Sequence, residues 1–183
     1  MSGGTALIVT DMLNRYEHED AGPLVRCVSE ALPAIRRAVD LAEETGTMIV
    51  YVNDNHGDWA AGRDELCEWA LAGSRRELVE PVLPPAGAAF VSKARHSIFY
   101  ETPLNYLLRS CGVERIVLTG QVTEQCILYS ALDGYVRHFE IVVAGDAVAH
   151  IHPDLAGAAM RMMQVNMAAE IAPVEQLLQG AAR

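Results

Sequence analysis

Short apolar runs rich in β-branched residues alternate along this chain with longer segments of helical periodicity. The first run, Ala6–Thr10, stops at Asp11, and a second run covers Thr47–Val52. Runs of this length and composition are typical of strands buried on both faces, which occur in parallel sheets. Between them, apolar residues recur at helical spacing from Leu24 to Ala42, and Gly46 is suited to end that helix.

The same alternation continues to the end of the chain. The further predicted strands are Ala89–Ser92, Arg115–Thr119, Phe139–Ala144 and Ala168–Ile171. The further predicted helices are Asp64–Ala72, Thr102–Cys111, Glu124–Arg137, Pro153–Asn166 and Val174–Leu178, and the rest of Asn53–Pro85 is expected to be irregular. Strands joined by helices require right-handed crossovers and a parallel sheet covered on both faces. We therefore predict a single α/β domain over residues 1–183, with a Rossmann-like sheet of about six strands.

The composition argues against nucleic-acid and membrane partners. The formal net charge is −10, whereas nucleic-acid binding needs clustered Lys and Arg. No segment approaches the roughly 20 apolar residues of a membrane span, and the short run before Asp11 does not resemble a signal peptide. The four cysteines, Cys27, Cys67, Cys111 and Cys126, show no C-x-x-C spacing and are expected to be reduced thiols. These features predict a cytoplasmic protein.

Three polar residues stand at or just after the ends of predicted strands. Asp11 follows the first strand, Lys93 the third, and Cys126 lies one short loop after the fourth. In parallel sheets, ligands bind beyond the carboxyl ends of the strands, so these side chains are expected to meet. Thr123 is a suitable N-cap that would place Cys126 in the first helical turn, where a thiol pKa is lowered and free N–H groups can stabilise an oxyanion. The alternative is that Cys126 is a small residue packed under the sheet.

Three segments of the sequence occur in an order and at a spacing that, taken together, are specific for one protein family. They are Leu7–Asn14 (LIVTDMLN), Val91–Thr102 (VSKARHSIFYET), and Leu118–Cys126 (LTGQVTEQC) with Ala131–Tyr135 (ALDGY) after it. Over residues 6 to about 146, the chain thereby resembles the isochorismatase-like cysteine hydrolases, which include nicotinamidases and N-carbamoylsarcosine amidases. The cysteine favours amide, carbamoyl or ureido substrates, since members of the family that act on a vinyl ether lack it.

The resemblance implies a catalytic triad of Asp11, Lys93 and Cys126. Asp11 would accept the thiol proton and return it to the leaving amine, Lys93 would orient Asp11, and Cys126 would form an acyl-enzyme. It also implies a cis peptide bond between Gln121 and Val122, which would aim the N–H groups of Val122 and Cys126 at the oxyanion. A small-molecule substrate and a homo-oligomer are further implications.

A substrate pocket is expected among the loops that follow the strands. Arg15 or Arg95 would pair with a substrate carboxylate through a bidentate contact. The predicted lining residues are Asn14, Arg15, Tyr16, His56, Trp59 and Arg95. The alternatives are that the arginines are exposed on loops and that the two aromatic residues only pack.

A metal site is incomplete in this sequence. Nicotinamidases in the family carry an Asp-x-His pair and a further histidine before the catalytic lysine. Asp54 and His56 match the pair, but no histidine lies between His56 and Lys93. Two ligands rarely hold a metal, so we expect neither a metal nor another cofactor. The remaining candidates for a third ligand are His96, His150 and His152.

Two other functions remain open at this stage. One is a metal-assisted amidase of the nicotinamidase type. The other is a binding or scaffold protein that keeps the triad residues without turnover, because a fold does not settle a function. The apolar helix Val25–Leu41 is a candidate subunit interface under either interpretation.

Overall fold

A six-stranded sheet organises residues 4–177, the part of the chain that the computed structural model describes. In chain order the strands are β1 (Gly4–Thr10), β2 (Met48–Asp54), β3 (Ala89–Lys93), β4 (Val113–Gln121), β5 (Glu140–Ala149) and β6 (Glu170–Ala172). Their order across the sheet is β3-β2-β1-β4-β5-β6, and every neighbouring pair is parallel. The predicted fold is thus confirmed, and the strand order reverses between β1 and β4.

Helices connect the strands. They are α1 (Ala21–Thr45), α2 (Arg63–Leu71), α3 (Arg76–Val79), α4 (Leu104–Ser110), α5 (Leu128–Val136), α6 (Pro153–Met167) and α7 (Val174–Leu177). A 3₁₀ turn covers Glu80–Val82, and a π turn covers Thr123–Ile127. Within residues 4–177, none of the helices is both long and apolar enough to span a membrane.

An apolar core lies on each face of the sheet. Along β1, Leu7 and Val9 join one core and Ala6 and Ile8 join the other, because successive strand residues point to opposite faces. Helices α1, α2, α3 and α7 cover the first face, and α4, α5 and α6 cover the second. The apolar stripe of α1 is therefore buried against its own sheet, which removes this stripe of Val25–Leu41 as a candidate subunit interface.

Several predicted boundaries were wrong. Strand β5, predicted to end at Ala144, continues to Ala149, and β4 is two residues longer at each end than predicted. Part of the segment expected to be irregular, Asn53–Pro85, forms α3 and the 3₁₀ turn after it. The helix predicted over Glu124–Arg137 begins instead with the π turn, and regular α-helix starts only at Leu128. The predicted end of the last helix, Leu178, lies outside the described residues, as do both ends of the predicted domain 1–183. The four cysteines are all free thiols.

Candidate active site

A carboxylate and an ammonium group are paired at the carboxyl edge of the sheet. Oδ2 of Asp11 lies 2.8 Å from Nζ of Lys93, and the side chains are 12% and 1% exposed, respectively. Burial by itself lowers the pKa of Lys93, but the neighbouring acidic groups of Asp11, Cys126 and Asp54 raise it above its ordinary value. Lys93 therefore stays an ammonium ion in the site, and it also donates to the carbonyl oxygen of Arg95 at 3.1 Å.

Asp11 is oriented by contacts from the strands on both sides of β1. Its backbone has a left-handed conformation (φ 55°), which aspartate tolerates better than most residues. Its N–H donates to the carbonyl of Val52 at 3.0 Å, and its Oδ1 accepts the N–H of Asp54 at 2.8 Å. Its carbonyl oxygen accepts Nε2 of Gln121 at 2.6 Å. The carboxylate thus has a fixed direction before any substrate binds.

Cys126 lies in the π turn that follows β4. The carbonyl oxygen of Val122 accepts N–H groups from both Gln125 and Ile127 at 3.1 Å, and the second of these bonds gives the turn its π form. The residue is 7% exposed, and its Sγ lies 3.6 Å from Nζ of Lys93. Single π turns of this kind are frequent at functional sites.

The predicted helix cap at Thr123 was wrong. Thr123 makes no cap, and its hydroxyl donates instead to the carbonyl oxygen of Ala149 at 3.0 Å. Ala149 ends β5, so the hydroxyl has an acceptor on the neighbouring strand that the local sequence does not reveal. Cys126 consequently sits in a π turn rather than at the third position of a capped α-helix.

Glu124 fastens the π turn to the loop that follows β5. Its Oε1 accepts the N–H groups of Ile151 at 3.0 Å and His152 at 2.8 Å. The glutamate is 8% exposed, so these bonds lie in a largely dry environment where hydrogen bonds are stronger. The backbone on both sides of the site is therefore held together through one side chain.

The electrostatics of the thiol differ from the expectation. The pKa of Cys126 is raised to about 12, with burial as the largest cause. The charge and hydrogen bond of Asp11 also raise this pKa, whereas Lys93 and the backbone N–H of Val122 lower it. The expected lowering of this pKa was wrong, because desolvation and the nearby carboxylate outweigh the favourable groups. The resting residue is therefore a thiol, and the carboxylate of Asp11 is the adjacent proton acceptor.

The peptide bond between Gln121 and Val122 is cis, as the resemblance implies. The N–H of Val122 donates a hydrogen bond to Sγ of Cys126. This hydrogen bond and the charge of Lys93 are the two influences that lower the thiol pKa. The role of the Val122 and Cys126 N–H groups in binding an oxyanion stays a prediction.

A cavity of about 340 Å³ is lined by Asp11, Lys93 and Cys126. Of the six predicted pocket residues, Asn14, His56 and Arg95 line this cavity. Arg95 is exposed where it lines this cavity. A cavity of this volume is at the small end of sites for small molecules.

Arg15 and Tyr16 do not line the cavity. Nε of Arg15 donates to the carbonyl oxygen of Trp69 at 2.8 Å, and the guanidinium lies 4.9 Å from the centroid of that ring. Tyr16 is 4% exposed within the core, and burial raises the pKa of its phenol. Their prediction as pocket residues was wrong, since each side chain turns toward the protein instead of the cavity.

Trp59 does not line the 340 Å³ cavity either. Its side chain is 83% exposed and lines a neighbouring cavity of about 470 Å³. Both cavities are lined by Lys93, Ala94 and Arg95, so they adjoin at the end of β3 and the loop after it.

Several cavity residues escaped the sequence analysis as pocket residues. His18 and Asp20 line the cavity from the loop before α1, and no periodic pattern indicates their direction. His96 lies three residues after Lys93 in a loop already expected to border the site. Its Nδ1 is 3.7 Å from Sγ of Cys126, and its ring centroid is 5.5 Å from that of Tyr129.

The candidate metal ligands do not fit a metal ion. Nε2 of His56 lies 2.9 Å from the carbonyl oxygen of Leu13, and its ring stacks on Trp69 at 4.2 Å between centroids. Oδ1 of Asp54 accepts the N–H of His56 at 2.7 Å. Between residues 4 and 177, no three His, Cys, Asp or Glu side chains are grouped so that they could hold a metal ion. The remaining candidates for a third ligand, His96, His150 and His152, do not complete such a group.

Comparisons with known proteins bear on the family and the fold of this chain. The isochorismatase domain model matches residues 5–176. An uncharacterized isochorismatase family protein of Bacillus subtilis is 29% identical over 95% of this chain and 96% of that protein. A ureidoacrylate amidohydrolase of an Enterobacter species is 30% identical over 83% of this chain and 78% of that protein. The crystal structure of an isochorismatase family protein from Desulfovibrio vulgaris superposes with a TM-score of 0.78 at 24% identity, over 100% of both chains.

Proposed function

The chain belongs to the isochorismatase domain family, and from that membership and the site geometry we propose that it hydrolyses an amide, carbamoyl or ureido C–N bond of a small molecule. The observation that carries the proposal is the buried Asp11–Lys93 pair beside the sulfur of Cys126, at the strand-order reversal where ligands bind in sheets of this kind. The similarity to a protein named as a ureidoacrylate amidohydrolase supports the class of bond.

The proposed reaction begins with a neutral thiol. As Sγ of Cys126 attacks the carbonyl carbon, its proton passes to Asp11, and the negative oxygen is stabilised by the N–H groups of Val122 and Cys126. The C–N bond then breaks, and Asp11 delivers the proton to the departing nitrogen. This leaves a thioester on Cys126, which water hydrolyses to free the acid. Lys93 keeps Asp11 charged and oriented until it accepts the thiol proton.

We also propose that the substrate carries a carboxylate. Arg95 is the arginine that reaches the cavity, while Arg15 is bound to Trp69. A guanidinium at a cavity mouth pairs well with a planar carboxylate. The Enterobacter relative is named for ureidoacrylate, which is itself a ureido acid. Small ureido and amide acids are therefore the first substrates to test.

The test combines an ammonia-release screen with intact-mass analysis. The screen covers ureido acids, carbamoyl amino acids and amide acids, each beside a neutral analogue without the carboxylate. The proposal expects ammonia release from at least one acid and a covalent acyl adduct on Cys126 after rapid acid quench. The matched control is Cys111→Ser, an exposed thiol that should change neither result. Turnover without an adduct on Cys126, or equal turnover by Cys126→Ala, would contradict the covalent route.

Homo-oligomer formation remains part of the proposal. Large apolar side chains are exposed along the helical face built from α5 and α6: Leu132, Val136, Leu155, Met162 and Val165. Exposed apolar clusters of this kind are typical of surfaces that contact another protein, and a second copy of this chain is the partner the resemblance implies. Light scattering at several concentrations tests this, and replacing Val136 and Val165 by aspartate should lower the measured mass.

A further inference from the structure

The sulfur of Cys126 has a neighbour that the triad does not include. Nδ1 of His96 lies 3.7 Å from Sγ, almost as close as Nζ of Lys93 at 3.6 Å. His96 reaches the sulfur from the loop after β3, and its ring contacts the tilted ring of Tyr129. An imidazole in contact with the nucleophile is close enough to exchange a proton with any group bound there.

The two proton-accepting groups near the sulfur differ in their surroundings. Oδ2 of Asp11 is paired with Lys93, Oδ1 accepts the N–H of Asp54, and the side chain is only 12% exposed. His96 is exposed at the side of the cavity that opens to solvent. A water molecule that enters after the amine has left therefore meets His96 before it meets Asp11. Histidine is also the side chain most often used for acid–base catalysis.

We propose that His96 is a second catalytic residue, which activates the water that hydrolyses the thioester on Cys126. This inference rests on the proposed function. As the water oxygen bonds to the thioester carbonyl carbon, one of its protons passes to Nδ1 of His96. The C–S bond then breaks, and the proton moves from His96 to Sγ, which restores the thiol and the neutral imidazole. Asp11 serves the first half of the reaction and His96 the second.

The division of labour separates the two halves in an experiment. The probe is p-nitrophenyl acetate, whose good leaving group needs no protonation, so that p-nitrophenol release reports acylation and later turnover reports hydrolysis of the acetyl-enzyme. The variant is His96→Asn, because asparagine keeps a polar atom near the position of Nδ1 but cannot carry a proton. The matched control is His138→Asn, an exposed histidine in a left-handed turn that asparagine tolerates.

The expected result is a burst of p-nitrophenol whose rate is unchanged in His96→Asn, followed by a steady state that is about a hundredfold slower. Intact-mass analysis should show acetylated Cys126 accumulating in this variant and not in His138→Asn. Hydroxylamine, which attacks thioesters without a general base, should restore most of the lost turnover. A residue that only supports the structure would not give this selective rescue.

Two results would overturn the assignment and are distinguishable from failure of the proposed function. An unchanged steady-state rate in His96→Asn, or an equal fall in the burst and the steady state, would show that His96 does not act on the thioester. If neither the wild-type protein nor His96→Asn gave an acetyl adduct on Cys126 after rapid acid quench, the covalent nucleophile itself would be refuted, and the role of His96 with it.

Discussion

Oδ2 of Asp11 lies 2.8 Å from Nζ of Lys93, although Asp11 follows β1, Lys93 ends β3, and these two strands are not neighbours in the sheet. Between β1 and β3 runs β2, whose last residue is Asp54. The N–H of Asp54 binds the other carboxylate oxygen of Asp11, and Asp54 is the register partner of Lys93. The end of β2 therefore connects the two partners of the ion pair, and β1, β2 and β3 together set the position of the Asp11 carboxylate.

The reactivity of the thiol should change in the opposite direction to catalysis when Asp11 is replaced. Alkylation by iodoacetamide requires the thiolate, and the raised pKa of Cys126, about 12, keeps the thiolate rare at neutral pH. Asp11→Asn removes a charge that raises this pKa, so alkylation of Cys126 at pH 8 should become faster while hydrolysis is lost. Lys93→Met removes a charge that lowers the pKa and should slow alkylation.

The measurement is the pH dependence of alkylation at each cysteine, followed by mass spectrometry. Exposed Cys111 provides an internal control in the same sample, since its rate should be the same in all variants. Slower alkylation of Cys126 in Asp11→Asn would show that the carboxylate does not govern the thiol.

Removing a triad residue should stop turnover with different effects on stability. Cys126→Ala and Asp11→Asn should each lower kcat by about 10⁴-fold or more, because nucleophile and base act as a unit. Lys93→Ala should also be severe, and it should lower the free energy of unfolding by about 3 kcal/mol, since it leaves a largely buried carboxylate unpaired. Urea unfolding and ammonia release measure the two effects. An active Cys126→Ala variant would exclude covalent catalysis by this residue.

The specificity for acids should depend on Arg95. Arg95→Gln should raise KM for a ureido acid about tenfold and leave kcat and the hydrolysis of neutral amides nearly unchanged, because the contact is exposed and does not change during the reaction. The matched control is Arg15→Gln, whose guanidinium lies on Trp69 outside the cavity. A comparable rise in KM in the Arg15 variant would place the carboxylate contact elsewhere.

Metal removal should leave the activity unchanged. The ring of His56 is engaged by Leu13 and Trp69, and two ligands are too few to retain zinc or iron during dialysis. Activity before and after treatment with a strong chelator, with elemental analysis of the purified protein, provides the test. About one zinc, iron or manganese per chain, lost together with activity in His56→Ala, would overturn the prediction and favour a metal-assisted amidase.

The close approach of β4 to β1 should make Gly120 irreplaceable. A Cβ at this position would lie 2.1 Å from the carbonyl oxygen of Thr10, and the backbone has φ 101°. Gly120→Ala should lower the free energy of unfolding by more than about 3 kcal/mol, or prevent folding altogether. Gly157→Ala is the control, since its added Cβ meets nothing within 4 Å in α6 and should raise the free energy of unfolding by about 0.5–1 kcal/mol. Chemical denaturation of both variants measures these changes in the free energy of unfolding.

The sheet could be predicted from the sequence because each strand is indicated by residues that are adjacent in the chain. The apolar runs that became β1 and β2 have no polar interruption, and the residues that end β1 and β3, or immediately follow them, are Asp11 and Lys93. Once the strands were parallel, these residues had to share one edge. The meeting of Asp11, Lys93 and Cys126 follows from topology and needs no knowledge of side-chain packing.

The details of the site depend on contacts distant in sequence, which a local pattern does not contain. Thr123 was expected to cap a helix, but its acceptor, Ala149, lies on another strand. The thiol pKa is governed by burial and by Asp11, neither of which the helix start reveals. The direction of Arg15 likewise depends on a residue distant in sequence, Trp69, whose carbonyl oxygen accepts Nε–H of Arg15 and whose ring lies 4.9 Å from its guanidinium.

Glu124 joins two parts of the molecule that an engineer would want to alter independently. One carboxylate oxygen holds the backbone at Ile151, which forms part of the cavity wall, and Glu124 itself belongs to the turn that carries Cys126. Reshaping that wall to admit a new compound will displace the sulfur unless a second change compensates. Adaptation of this protein to other substrates is therefore expected to proceed by paired substitutions on the two sides of Glu124.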